Sequence, residues 1–220
     1  APQIDFFAPD IYFPNFAEWL GKYDRGGNAM FVPEVDHRQS VANAFYAIAK
    51  HNAMGYSPFS IESVDDPGNS QFNRGYHILR QLTPLILEHQ GMGTMTGFLL
   101  DSAAQTAEIT LGDYAFTVKH EFTWPYAART EGATPRFGGM IIMIAKDEFF
   151  IAGSGVVVTF RSLSGNGTIA GIAGMEEGAF LNGVWVAGRR MNGDENHQGR
   201  HMHLPGGAYG IQKVKLYTYR

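Results

Sequence analysis

The feature that most constrains the fold of this chain is a change in its hydrophobic pattern near Gly91. Before that residue, short apolar runs alternate with helical patterns, which is typical of parallel sheets and α/β barrels. The longest helical pattern covers residues 71–89. After Gly91, short strand-like runs are separated by Gly, Asn and Asp, and helical periodicity is almost absent. We therefore predict two domains, residues 1–91 and residues 92–220.

The pattern after Gly91 predicts an antiparallel β-sandwich, because short strands follow one another at close spacing with turn residues between them. The predicted strands are residues 95–100, 107–111, 114–122, 139–145, 149–152, 156–161, 168–175, 184–189 and 211–219. The last of these runs alternates polar and apolar residues, as a strand with one wet face should.

Composition excludes several classes of function. The 220 residues contain no cysteine, which excludes disulfides, thiolate nucleophiles and cysteine-ligated zinc and leaves the cellular compartment open, the periplasm and the exterior included. The formal net charge of −4, with Lys and Arg scattered, gives no basic field for nucleic acid. The apolar stretches are too short for a membrane span, and the chain shows no signal peptide. We expect neither nucleic acid nor a membrane as a partner.

In residues 1–91, three strand-like runs end in residues of types that often serve in active sites. The segments are Ala8-Pro9-Asp10-Ile11-Tyr12, Phe31-Val32-Pro33-Glu34 and Gly55-Tyr56-Ser57-Pro58-Phe59. In barrels, the C-terminal ends of strands present side chains toward one point, so such positions favour catalysis. Without further pattern, a Glu after a strand is more often a helix-capping or solvated residue. Tyr12 and Phe59 could equally be core or surface aromatics.

Taken in order, these segments resemble the last three barrel strands of glycoside hydrolase family 35. More narrowly, they are similar to its bacterial branch, whose barrel is followed by a β-rich domain, and the resemblance covers nearly the whole chain. It implies a partial (β/α)8 barrel, made of the last three strand–helix units, followed by an antiparallel β-sandwich. It also implies that the chain is a fragment of a retaining β-galactosidase-like enzyme.

The resemblance assigns roles to three residues. Glu34 stands where the family has its nucleophilic carboxylate, which attacks the anomeric carbon. Tyr12 is placed to donate a hydrogen bond that fixes the orientation of this carboxylate. Phe59 is an apolar platform for a sugar ring. The family's acid/base glutamate lies on an earlier strand that this sequence does not match, so we expect the chain alone to be inactive.

The resemblance also sets the expected ligands and partners. The ligand is a β-galactoside or a related glycan, and no cofactor or metal is expected. His197, His201 and His203 share a short segment, but the interposed Gly199 and a spacing that demands no carboxylate nearby argue against a zinc site. A partial barrel would expose strand edges and apolar surface, which predicts a homo-oligomer or association with a missing N-terminal half.

Two alternatives stay open. In the first, the chain is a non-catalytic module whose β domain binds carbohydrate or braces the barrel. Trp124, Trp185 and several tyrosines would then stack on sugars, although packing in a sandwich core is their default role. In the second, the first ninety residues pack differently and Glu34 is a surface group. Glycan binding without hydrolysis would favour the first alternative.

Overall fold

The chain is mostly β. In this computed structural model, 44% of the described residues lie in strands and 22% in helices, and the strands form three sheets. The described residues are 3–36, 41–68, 70–121, 136–165 and 168–220. The prediction of a partial (β/α)8 barrel followed by a β-sandwich is therefore wrong as a description of the fold class.

The elements before residue 91 include a small parallel sheet. They are β1 (Asp10–Ile11), α1 (Phe16–Tyr23), β2 (Val32–Asp36), α2 (Ala42–Lys50), β3 (Tyr56–Phe59), a 3₁₀ helix (Ile61–Ser63) and α3 (Gln71–His89). β1, β2 and β3 pair in parallel in that order. Parallel pairing brings the C-terminal ends of the three strands to the same edge of the sheet.

The strands after residue 91 form two antiparallel sheets. They are β4 (Met95–Leu100), β5 (Thr106–Leu111), β6 (Tyr114–His120), β7 (Phe137–Ala145), β8 (Glu148–Gly153), β9 (Val156–Ser162), β10 (Ile169–Leu181), β11 (Val184–Arg190), β12 (His201–Leu204) and β13 (Gly210–Tyr219). The six-stranded sheet has the order β11-β10-β13-β8-β7-β4, and the four-stranded sheet has the order β12-β9-β6-β5. Their facing sides share one hydrophobic core, to which Phe116, Phe149 and Leu216 belong.

α2 packs closely on the six-stranded sheet, against β4 and β7. Two glycines make this approach possible. A Cβ on Gly97 of β4 would lie 3.1 Å from the Cα atom of Tyr46, and one on Gly138 of β7 would lie 2.8 Å from the Cβ atom of Ala42. The helix backbone therefore rests almost directly on the sheet backbone, and α2 is buried along most of its length.

This packing explains why the barrel prediction is wrong. In a barrel, the helices surround one closed sheet made of the strands that alternate with them. Here β1 has only 2 residues, and among the described residues the parallel sheet stops at β1 and β3. A second core joins Val35 of β2 and Phe45 of α2 to Met140 of β7. The helical segment is thus packed on an antiparallel sheet, while the domain boundary at residue 91 stays a prediction.

α3 begins and ends at residues that give clear local signals. The Ser70 hydroxyl accepts a hydrogen bond of 3.1 Å from the Asn73 N–H, which caps the first turn. Gly91 follows the helix with a positive φ of 76°, a conformation that favours glycine and ends helices. The predicted helix at 71–89 is confirmed.

None of the described helices combines the length and the apolar character that crossing a membrane requires.

Gly138→Ala tests the contact between α2 and the sheet. The new methyl group would clash with Ala42, so we expect the free energy of unfolding to fall by about 1–3 kcal/mol, the usual cost of overpacking. Gly174→Ala in β10 is the matched control, because a Cβ there meets nothing within 4 Å. Urea denaturation would measure both variants, and an unchanged unfolding midpoint for Gly138→Ala would contradict the close packing.

Candidate functional site

Two of the three residues singled out from the sequence, Tyr12 and Phe59, lie at the C-terminal edge of the parallel sheet. Glu34 was expected at the end of its strand, but it is the third of the five residues of β2. Tyr12 directly follows β1, Glu34 lies in β2 and Phe59 ends β3. Asp10 is in register with Glu34, and Asp36 is in register with Phe59. The parallel sheet thus brings together three segments that are well separated along the chain.

The sequence explains why these side chains lie on the open face of the sheet. Side chains along a strand point alternately to opposite faces. Ile11 and Val35 are in register with each other and are buried in the core, at 1% and 0% exposure. Their neighbours Tyr12 and Glu34 therefore point to the opposite face, where Tyr12 is 45% exposed.

Tyr12 and Glu34 are in direct contact. The Tyr12 hydroxyl donates a hydrogen bond to Oε1 of Glu34. This bond raises the pKa of Tyr12 to about 12, with smaller contributions from desolvation and from the negative charges of Glu34, Asp10 and Asp36. The phenol therefore stays a proton donor through the physiological range, and it holds the carboxylate in one orientation. The contact predicted from the sequence is present, and the catalytic roles of the two residues stay predictions.

The same edge carries large exposed aromatic side chains. Phe59 and Phe13 are each 54% exposed, and the Phe13 ring stacks on Trp19 of α1 with 5.0 Å between ring centroids. Exposed aromatic groups grouped beside a carboxylate are typical of binding surfaces. The edge thus combines an acidic group, a fixed phenol donor and an apolar platform on an open surface.

Sequence reasoning missed the two aspartates of this edge. Asp10 and Asp36 each lie two residues from a predicted site residue on the same strand, Asp10 from Tyr12 and Asp36 from Glu34. Both carboxylates act on the pKa of Tyr12, which shows that they belong to the electrostatics of the site. The two-residue spacing was the available signal, because residues i and i+2 of a strand share a face.

The histidine segment lies on β12 and in the turn before it. Nε2 of His203 lies 3.1 Å from Oε2 of Glu121, and the Gly206 N–H donates to both Glu121 oxygens at 2.9 Å. The bond to His203, together with that to Gly206, holds the pKa of Glu121 below its usual range. The His201 ring stacks on His197 with 5.3 Å between centroids, and burial lowers the pKa of His201 to about 4. No group of three or more potential metal ligands occurs in the described parts of the chain.

One of the two tryptophans considered for sugar stacking, Trp185, is not an open platform. Trp124 lies outside the described residues. Nε1 of Trp185 donates a hydrogen bond of 2.7 Å to Glu176, and its ring packs against Phe150 and Phe180 at 4.9 Å and 5.3 Å. The Trp185 ring therefore serves packing, as the default interpretation held.

Glu34→Gln tests the contact at the centre of the site. Loss of the negative charge is expected to lower the pKa of Tyr12 from about 12 toward the ordinary tyrosine value near 10. A pH titration followed by NMR of ¹³C-labelled tyrosine rings would measure it, with Tyr12→Phe assigning the signal. Glu62→Gln, at an exposed position after β3, is the control and should leave the midpoint in place. If Tyr12 titrates with the same midpoint in Glu34→Gln as in the unmodified chain, the hydrogen bond to Glu34 is contradicted.

Comparison with known proteins identifies a family for the larger part of the chain. The model of a domain of unknown function, DUF5597, matches residues 72–203, which is more than half of the 220 residues. The matched region begins in α3 and ends in β12, so it leaves out Tyr12, Glu34 and Phe59. It names no glycoside hydrolase, and a search of curated proteins found no match. The chain therefore belongs to the DUF5597 family.

Proposed function

We propose that this chain carries the nucleophile of a retaining, β-galactosidase-like glycoside hydrolase, and that Glu34 is that nucleophile. The observation that supports this most strongly is the hydrogen bond from Tyr12 to Glu34 on the open face of the parallel sheet. A retaining glycosidase needs a carboxylate that is held in position to attack the anomeric carbon. A phenol with a raised pKa fixes this carboxylate without neutralising it.

The surrounding charges also suit this chemistry. Glycoside cleavage passes through a transition state with positive, oxocarbenium-like character at the sugar ring. The negative charges of Asp10 and Asp36 raise the pKa of Tyr12, the hydrogen-bond partner of Glu34. Negative groups fixed around the developing positive charge stabilise it relative to the ground state. We propose that the two aspartates contribute in this way while Glu34 forms the covalent bond.

Phe59 gives the sugar a surface to lie on. Phe59 is 54% exposed and is in register with Asp36, two residues beyond Glu34 on β2. Sugar-binding sites commonly combine an apolar ring face with a few polar groups that fix the orientation of the ligand. We propose that Phe59 packs against the C–H face of the terminal galactose.

The proposal requires a second carboxyl group. Retaining enzymes place their two carboxyl groups roughly 5–5.5 Å apart, and the second one protonates the leaving oxygen. We propose that a partner polypeptide or a second copy of this chain covers the exposed edge and supplies this acid. The exposed rings of Tyr12, Phe13 and Phe59 support such an association, and parallel sheets normally have both faces covered.

Hydrolysis of activated galactosides by the purified chain tests the proposal. A 2,4-dinitrophenyl group leaves without protonation, so slow hydrolysis of its β-galactoside is expected from the nucleophile alone. Hydrolysis of methyl β-galactoside should lack the roughly 10²- to 10⁴-fold rate increase that a general acid contributes. Glu34→Gln should reduce the dinitrophenyl reaction to the background rate. Tyr12→Phe should slow it about tenfold or more, because a hydrogen bond to a charged group is lost.

Glu62→Gln is the control for this experiment, since Glu62 is an exposed carboxylate just beyond Phe59. It should react at the rate of the unmodified chain. Equal rates in the unmodified chain and in Glu34→Gln would contradict the proposal. Binding of galactosides with no turnover of the activated substrate would favour the non-catalytic alternative.

A further inference from the structure

A second surface with binding features lies along β13 in the six-stranded sheet. Lys213, Lys215, Tyr217 and Tyr219 alternate along this strand and share one face. The residues between them point to the other face, where Val214 and Leu216 are buried in the core between the two antiparallel sheets. The face formed by these four side chains and their neighbours on β8, β10 and β11 is called the β13 surface below.

The end of the β13 surface is an aromatic platform. The rings of Tyr217 and Tyr219 lie with their centroids 5.4 Å apart and their planes 23° apart, and each residue is 46% exposed. The Tyr217 ring lies over Gly171 of β10, where a Cβ would come within 2.7 Å of the ring. Ile169, 51% exposed, is in register with Tyr219 and extends the apolar area. Because Gly171 has no side chain, the Tyr217 ring can rest on the sheet.

A concavity of about 260 Å³ continues the β13 surface beyond the platform. Its floor includes Gly174, whose missing side chain leaves open space, since a Cβ there would meet nothing within 4 Å. The pairing of β10 with β13 shifts register just before this glycine, between Ile172 and Gly174. Lys215 lines the concavity and is two residues from Tyr217, so the platform and the concavity adjoin.

The concavity offers hydrogen-bonding groups with little net charge. It is lined by two carboxylates and three cationic side chains: Glu148, Glu176, Arg190, Lys213 and Lys215. Nζ of Lys215 lies 2.8 Å from one oxygen of Glu148, and Nζ of Lys213 lies 3.7 Å from the other. Paired charges of this kind can donate to and accept from hydroxyl groups. Because these charges are paired, the concavity has no strong positive field that would attract a polyanion.

We infer that the β13 surface binds a neutral oligosaccharide, with Tyr217 and Tyr219 packed against sugar rings and the charged groups of the concavity bound to sugar hydroxyls. An aromatic platform beside convergent polar groups is the usual composition of a small-ligand site. The inference does not depend on Glu34, because the two surfaces are formed by different sheets.

The size of the platform argues against a protein partner. A fully buried tyrosine contributes roughly 150–250 Å² of contact area, so two half-exposed rings offer on the order of 200 Å². A stable protein interface needs about 800 Å² from each partner. The two rings are therefore large enough for a few sugar rings and too small to form a stable protein interface by themselves.

Affinity electrophoresis tests the inference on the purified chain. Native gels containing galactan, xyloglucan or hydroxyethyl cellulose present neutral polysaccharides, and a gel with polygalacturonate presents a charged one. We expect retardation by at least one neutral polysaccharide. Tyr217→Ala and Tyr219→Ala should each weaken binding about tenfold, the effect of losing one stacked ring. Tyr217→Phe keeps the ring and should keep most of the affinity.

Two further variants serve as controls. Leu181→Ala removes another exposed apolar side chain of β10, 58% exposed, and should leave the retardation unchanged. Glu34→Gln removes the proposed nucleophile and leaves the β13 surface intact, so retardation that persists in this variant is independent of the proposed hydrolase activity. NMR of the tyrosine rings tests the unmodified chain without any substitution. Addition of an oligosaccharide of the polysaccharide that causes retardation should shift the ring signals of Tyr217 and Tyr219.

Several results would overturn the inference. Absence of retardation in every neutral gel, or equal retardation of the alanine variants and the unmodified chain, would show that the platform binds no such glycan. Retardation by polygalacturonate alone would show a charge-driven site. A dimer in light scattering that Tyr217→Ala dissociates would show that a second copy of the chain covers the platform.

Discussion

The contact between α2 and the six-stranded sheet is the interaction on which the rest of the structure depends. α2 stands between β2 and β3 in the chain, so its position sets where these two strands can lie. Gly97 and Gly138 allow the helix backbone to approach the sheet more closely than any side chain would permit. One core then joins the parallel sheet, α2 and the antiparallel sheet, and the strands that carry Glu34 and Phe59 are fixed against it.

The candidate site follows from this arrangement through the alternation of side chains. Ile11 and Val35 face the core, which leaves Tyr12 and Glu34 on the open face. The raised pKa of Tyr12 comes mainly from its hydrogen bond to Glu34, with smaller contributions from desolvation and from the neighbouring carboxylates. The same alternation along β13 buries Leu216 and exposes Tyr217. Both surfaces are therefore the outer faces of strands whose inner faces build the two cores.

Local features of the sequence predicted individual elements better than their assembly. The helix at 71–89 and the strand at 95–100 were predicted with the bounds that the structure has, because a helical pattern marks the first and a short apolar run marks the second. The barrel prediction failed because apolar patterns specify strands and helices but not how a sheet closes. The roles of Gly97 and Gly138 depend on contacts between distant segments, which no local pattern contains. The meeting of Tyr12 and Glu34 was foreseen from a family resemblance, and the DUF5597 match does not cover either residue.

Covalent trapping of the sugar on the protein tests whether Glu34 is the nucleophile. In 2,4-dinitrophenyl 2-deoxy-2-fluoro-β-galactoside, the fluorine slows hydrolysis of a glycosyl-enzyme while the activated leaving group still allows it to form. Mass spectrometry of the intact chain would show the adduct, and peptide sequencing would locate it. We expect one fluorogalactosyl group on Glu34 and none in Glu34→Gln. An adduct on Asp36 or another carboxylate, or no adduct while the activated substrate is turned over, would contradict it.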